Sequence, residues 1–339
     1  MSASVMITGT SWVEAEARTL FVPRLNNAYE QYLFEESAKA SGVEYWQVKK
    51  FAETTGLPHM AAMEAAFDEA VSNAGLQRKI KKKNGNRVGM IYFDEYGPIS
   101  FMERKAQIKE MYYSDVFPSF VLQAHNISGY SVRLRAERNA PMQAMQLAKN
   151  LIESGDLDVV FVGGINPCYS FFFLSEQLET VQWEKQQGIK TNKENNTRNL
   201  NEAAAFVVLE SADHAEKRGI THATEILEIN SGREYYSSKQ ADKNPLPNRW
   251  NLIAQRYPVA KAHMGLYPSE LMTKTESMLL GDSLGDAEQV NWYERKGDSN
   301  SLNVLRVLHE HIRISESNPS VQLIHSADRN GFGWNLLFK

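Results

Sequence analysis

The side chains that could form a covalent bond or hold a metal make no recognisable catalytic pattern in this sequence. The single cysteine, Cys168, follows Pro167 instead of opening a helix, so no helix dipole lowers its pKa. It reads as a small buried residue. Gly281-Asp282-Ser283-Leu284 spells a short serine-esterase motif. That chemistry wants the serine just after the first strand, with an activating Asp and His far downstream. Here fewer than sixty residues follow it, so the hydrolase reading fails. His309 and His311 are two apart, a spacing that points helical rings to different faces, and they read as an exposed helix end. There is no G-x-S-x-G elbow and no phosphate-binding G-x-x-x-x-G-K. Arg133, Arg135 and Arg138 are different: they alternate with Val132 and Leu134 just before a core-type helix. Buried arginines need acidic partners, which Glu137 or an anionic ligand would supply.

The elements that would position such residues alternate between helix and strand. Pro141 to Ser154 carries apolar residues at Met142, Met145, Leu147, Ala148, Leu151 and Ile152, with Pro141 suited to a first turn and Gly155 to a stop. Asp158 to Gly164 then reads as a buried strand ending in paired glycines. Val5-Met6-Ile7-Thr8-Gly9, Val88 to Phe93, Glu202 to Glu210 and His222 to Asn230 read as further strands, and residues 59–74 as a helix. Ala212 to Arg218 is a short helix that Gly219 can cap. Residues 185–201 read as a polar solvent loop and residues 231–266, with Pro245, Pro247 and Pro258, resist assignment. The tail reads as two strands, Val321 to Ile324 and Trp334 to Phe338, joined through Asn330-Gly331-Phe332-Gly333. Helix, tight turn, buried strand is the grammar of a layered α/β fold.

Composition sets outer bounds. The chain has 339 residues, 42% hydrophobic and 23% charged, enough for a large core and unlike a disordered chain. Its 37 basic and 41 acidic residues give a net charge of -4, which offers nothing to nucleic acid or an anionic membrane. The basic run from Arg78 to Lys83 reads as a solvated loop, with a contact for an acidic carrier protein as the alternative. One cysteine rules out a disulfide framework and suits a cytoplasmic location. The first residues lack a basic segment followed by an apolar run, so no secretory signal is expected. The most apolar stretch, Val159 to Leu174, is broken by Gly163, Gly164, Asn166 and Pro167 and is no spanning helix. No metal or cofactor is expected.

Taken in order, these pieces resemble the β-ketoacyl synthase family of the thiolase fold. The family opens on a V-x-x-T-G strand, matched by Val5 to Gly9. It places a helix of type L-Q-A-L-x-x-A before a D-V-x-x-V-G-G strand, matched by Met142 to Ala148 and Asp158 to Gly164. Its E-G-A-A-A-x-V-L-E strand and R-G turn are matched by Glu202 to Glu210 and Arg218-Gly219. Ser283 to Gln289 echoes its P-L-G-D-x-x-E loop, and Gly331-Phe332-Gly333 its closing G-F-G. The resemblance implies one thiolase-type domain over residues 1–339, α/β in class. It has two similar halves, about 1–220 and 221–339, in α-β-α-β-α layers with the helix at 141–154 buried between them.

The resemblance also shows what is missing. The family's nucleophilic cysteine falls on Arg138, and its first histidine, counted back from Asp286, on Met278. The second histidine belongs to a K-T-N-x-G-H segment, and Lys296-Gly297-Asp298-Ser299-Asn300-Ser301 holds none. A scaffold kept with all three lost resembles the chain length factors of type II polyketide synthases, of aromatic polyketide or aryl polyene type. These are non-catalytic subunits that pair with an active ketosynthase served by an acyl carrier protein. The resemblance then implies a heterodimer paired along a strand near the middle of the sheet, with Arg133, Arg135 and Arg138 at the interface. It implies a polyketide tunnel walled by Tyr96 and by Phe171, Phe172, Phe173 and Leu174. Two alternatives stay open: an acyltransferase or decarboxylase using Glu137 or Cys168, and a carrier-protein docking subunit.

Overall fold

The computed structural model describes residues 4–16, 18–21, 29, 32, 35–36, 45–49, 51, 58–76, 82–94, 116–135, 138–166, 178–179, 182, 186, 197–233, 246–266, 270–292, 298–314, 320–327 and 332–339. Alternating burial builds its frame. In the strand β6 (Val159–Asn166), Val160 and Val162 face one core while Val159 and Phe161 face another. A strand apolar on both faces must be covered on both, and here helices do so.

Five strands of the first half are β1 (Val5–Glu14), β4 (Val88–Asp94), β5 (Ser131–Arg135), β6 and β8 (Ala203–Ser211). Five of the second half are β9 (Thr224–Arg233), β10 (Val259–Met264), β11 (Glu288–Asn291), β12 (Val321–Ala327) and β13 (Phe332–Phe338). All ten form one sheet in the order β11-β10-β12-β13-β9-β1-β8-β6-β4-β5. Counted in chain order, each half has the same strand order, 3-2-4-5-1. In each, the fifth strand (β8 or β13) runs antiparallel to its neighbours, and the remaining pairs are parallel. The halves join where β1 meets β9, from Val5 opposite Ile226 to Ile7 opposite Thr224. A separate three-stranded sheet holds β2 (Arg18–Phe21), β3 (Tyr45–Lys49) and β7 (Thr197–Asn201). The last of these lies in the stretch expected to be a solvent loop, and Asn201 is fully buried.

The helices complete five layers. Outside the first half lie α1 (Pro58–Asn73) and α2 (Val116–His125), packed through Phe67, Ala70 and Val121 on Met90, Phe161 and Phe206. Outside the second lie α5 (Leu246–Arg256) and α6 (Glu270–Leu284), where Trp250, Ile253 and Leu280 cover Ala262, Leu323 and Leu337. The short α4 (Ala212–Lys217) caps β8 from Ser211 and ends at Gly219, whose φ is 78°. Between the two half-sheets lie α3 (Ala140–Glu153) and α7 (Asn303–Ile314). Met142, Met145, Val304 and Leu308 share one core there with Val162, Val207, Ile324 and Leu336.

Three expectations change. His309 and His311 lie on the central helix α7, not on an exposed helix end: His309 is buried against Thr10, and the His311 ring meets Phe338. Ser283 lies in the last turn of α6, and Ser283 to Gln289 runs from that helix into β11. Among the described residues the arginine-bearing β5 is the outer edge of the ten-stranded sheet, paired with β4, and not near its middle.

Candidate functional site

The two central helices start side by side, and the residues just ahead of them meet. α3 follows β5 in the first half and α7 follows β11 in the second, so the duplicated topology brings two equivalent turns together. From the first comes Arg138, 3% exposed. From the second comes Asp298, 6% exposed. The guanidinium holds the carboxylate with two parallel bonds, Nη1 to Oδ1 and Nη2 to Oδ2, both 2.9 Å. This fork-on-carboxylate geometry is the strongest form of ion pair.

The carboxylate has further donors. Asp298 Oδ1 accepts the Asn300 N–H at 2.8 Å and Asn303 Nδ2 at 2.9 Å. Burial pushes the Asp298 carboxyl upward, but the charge and hydrogen bonds of Arg138 outweigh it and hold the group below the ordinary carboxylate range. Arg138 stays protonated in any such setting. The pair is therefore a fixed zwitterion with neither a nucleophile nor a base to offer.

Other segments converge on it. Asn201 N donates to the Asp298 carbonyl at 2.8 Å. Asn303 Nδ2 also reaches the Leu266 carbonyl, just past β10, at 3.1 Å. Asn139 Nδ2 holds the Phe332 carbonyl at 3.0 Å, and Ser326 Oγ donates to Asn139 Oδ1 at 3.0 Å. Segments from both halves thus close around Arg138 and Asp298.

The expected site residues fall as follows. Arg138 is at the centre. Met278 is on the outer helix α6 and 56% exposed, so the structure does not bring it to Arg138. Arg133 is half-buried on the edge strand, and Arg135 pairs with Asp94 in the β5–β4 register. Tyr96, Glu137, Cys168, Phe171, Phe172, Phe173 and Leu174 lie outside the described residues. Ser301 is buried at the start of α7. Asp298 was missed as the arginine's partner, although it lies in the segment Lys296 to Ser301 that the sequence singles out.

His263 was also passed over. It sits near the end of β10, where Nε2 lies 2.8 Å from Gln322 Oε1 and Nδ1 accepts the Trp292 indole N–H at 3.1 Å. Both ring nitrogens are engaged in the core, with Nε2 the protonated one. Among the described residues no group of three or more His, Cys, Asp or Glu side chains is arranged to hold a metal ion. Among them, too, no helix is long and apolar enough to cross a membrane.

No protein-family model and no curated protein matches the chain. Solved structures do. A type II polyketide synthase assembly, AntDE:AntF, an acyl-carrier protein in complex with its ketosynthase bound to the hexaketide, aligns with TM-score 0.68 at 16% identity, covering 100% of this chain and 99% of that one. The PfaC keto synthase-chain length factor aligns with TM-score 0.69 at 11% identity, over 100% of this chain and 43% of that one. A β-ketoacyl synthase from Burkholderia phymatum aligns with TM-score 0.67 at 15% identity, over 100% and 99%. Identities this low speak for architecture alone, and with the duplicated 3-2-4-5-1 sheets and paired central helices they give the chain the thiolase-like fold of the ketosynthases.

Proposed function

We propose that this chain is a non-catalytic, chain-length-factor-type subunit that pairs with an active ketosynthase in a type II polyketide synthase. The observation that carries the reading is the Arg138–Asp298 pair. The fold is that of the ketosynthases, and position 138, which the resemblance sets against their nucleophile, holds a guanidinium locked to a buried carboxylate. An acyl group cannot form a thioester or a stable ester on such a side chain.

The partner docks along β5, whose outer side has no strand beside it among the described residues, with Arg133 and Arg135 on that edge. Unpaired edges are templates for a further strand. The carrier protein delivers extender units to the ketosynthase, and the growing chain enters a tunnel that this subunit closes with Tyr96 and Phe171 to Leu174. Replacing Tyr96, or one of the three phenylalanines, by Ala lengthens the products while the heterodimer survives.

The test is direct. Co-express the chain with the ketosynthase, add acyl carrier thioesters, and weigh each intact subunit. The acyl mass is expected on the ketosynthase alone. An adduct on this chain, mapped to Cys168, Glu137 or any other residue, overturns the proposal in favour of a working acyltransferase. Failure to bind any ketosynthase, with the chain stable alone, overturns the pairing.

A further inference from the structure

Beside the ion pair lies a polar turn that the pairing does not use up. Asn300 is 2% exposed and Ser299 is fully buried. Among the described residues neither Oδ1 nor Nδ2 of Asn300 has a hydrogen-bond partner, and neither does Ser299 Oγ. Buried polar groups in native proteins are almost always paired, so three orphaned atoms in adjacent residues point to a bound group. Asn300 also holds a φ of 57°, the left-handed region that glycine adopts freely and that asparagine enters more readily than other side chains. Glycine at 300 would keep that φ and remove the orphaned amide; asparagine keeps a donor and an acceptor there.

The backbone cannot swing to relieve them. The Asn300 N–H is held by Asp298, the Ser299 N–H by Asn303 Oδ1 at 3.0 Å, and the Leu302 N–H by the Ser299 carbonyl at 3.2 Å. The turn packs against β6, β8 and α3. Behind it, α7 begins at Asn303, so a helix N-terminus faces the same place.

We propose that the Ser299–Asn300 turn at the start of α7 is a binding site for a small neutral ligand bearing a carboxamide. The side chain of Asn300 presents one donor and one acceptor on a single planar edge, and its complement is another such edge, bonded head to tail. The Ser299 hydroxyl and the helix N-terminus favour the ligand's carbonyl oxygen. A neutral group fits because Arg138 and Asp298 already balance each other, and an added buried charge would have no counter-ion. The site is independent of acyl loading, which concerns position 138.

The probe is acetamide, titrated calorimetrically into the full chain and soaked into its crystals. The expected result is saturable binding, with the acetamide amide paired to Asn300. Acetate at neutral pH, equal in shape but charged, should bind at least about tenfold more weakly. Asn300→Gly should raise the acetamide Kd about tenfold, the loss of one to two hydrogen bonds, without lowering Tm. Ordered water only at Asn300 in the soaked crystals, or an unchanged Kd in Asn300→Gly, overturns the proposal.

Discussion

Arg138→Met removes one side of the central ion pair while keeping a long side chain, and its cost can be worked from the site. Asp298 would remain buried with two of its donors, the Asn300 N–H at 2.8 Å and Asn303 Nδ2 at 2.9 Å. Breaking a buried pair from one side costs about 3–5 kcal/mol. The surviving bonds place this case at the low end, about 3 kcal/mol, or a fall in Tm of roughly 4 °C for a chain of this length. Asp298→Asn added to Arg138→Met removes the stranded charge and keeps an acceptor for both donors. The double variant should recover at least about 1.5 kcal/mol. The pH dependence fixes the sign. In the intact protein the Asp298 carboxyl is held below its ordinary value. Its contribution is therefore complete above the unfolded pKa of about 3.9 and declines as pH falls toward the folded one. In Arg138→Met burial acts unopposed, so Asp298 protonates at higher pH and its penalty fades in acid. Thermal melts of both proteins from pH 8 to 4 should show the gap narrowing. A variant melting within about a degree of the parent, or a gap that ignores pH, would refute the reasoning.

Three further outcomes follow from other sites. Arg218→Ala leaves the fully buried Glu210, which accepts from Arg218 Nε and Nη2 at 2.8 Å, with His214 as its neighbouring partner; chemical denaturation should show a loss of about 2–3 kcal/mol, and a loss under about 0.5 kcal/mol would show that the Arg218 contact is dispensable. Gly164→Ala would put a Cβ 2.1 Å from the Phe93 carbonyl oxygen on the neighbouring strand, so the variant should be recovered insoluble, and a folded variant with the parent's Tm would contradict the packing. Burial, with His263 and Lys261 nearby, pulls the His311 imidazole down to about 4; its NMR titration should centre there, and its share of stability should fade as pH drops from about 6.5 through that value, whereas a midpoint near 6.5 would mean the ring is solvated.

How much of this could be read from the residues depended on how each segment is buried. Segments covered on both faces gave themselves away. The helix expected at 141–154 is found at 140–153, and Asp158 to Gly164 lies within one residue of the start of β6. Both are apolar enough that a single burial pattern decides them. α5 and β10 hid in the unassigned stretch 231–266. There Trp250 and Ile253 face the core, but polar neighbours and three prolines blur the period, and Val259 to Met264 is buried only at its end. α7 was misjudged because charged residues such as Arg306 and Glu310 suggest solvent. Arg306 is in fact buried, bonded to Glu14 at 3.1 Å and Glu310 at 3.3 Å and stacked over Trp12. Pairing across the two halves, invisible along the chain, is what makes that burial tolerable.

The site itself shows the same division. Position 138 was reached by counting from the adjoining helix, because nothing between them varies in length: Arg138 and Asn139 form the turn directly before α3. Met278 was reached by counting from Asp286 through what proves to be a helix on the outer layer. A count is trustworthy only inside one rigid element and its turn. The segment that approaches Arg138 from that half follows β10, where Leu266 offers its carbonyl to Asn303. Asp298 could not be assigned to Arg138 by counting at all, since 160 residues separate them. The internal duplication supplies the missing link. If each half places a turn ahead of its central helix, and the two helices pack side by side, a buried charge in one turn demands its counter-charge in the other. The sequence offers Asp298 there, five residues before the second helix begins at Asn303 and two before the asparagine at 300.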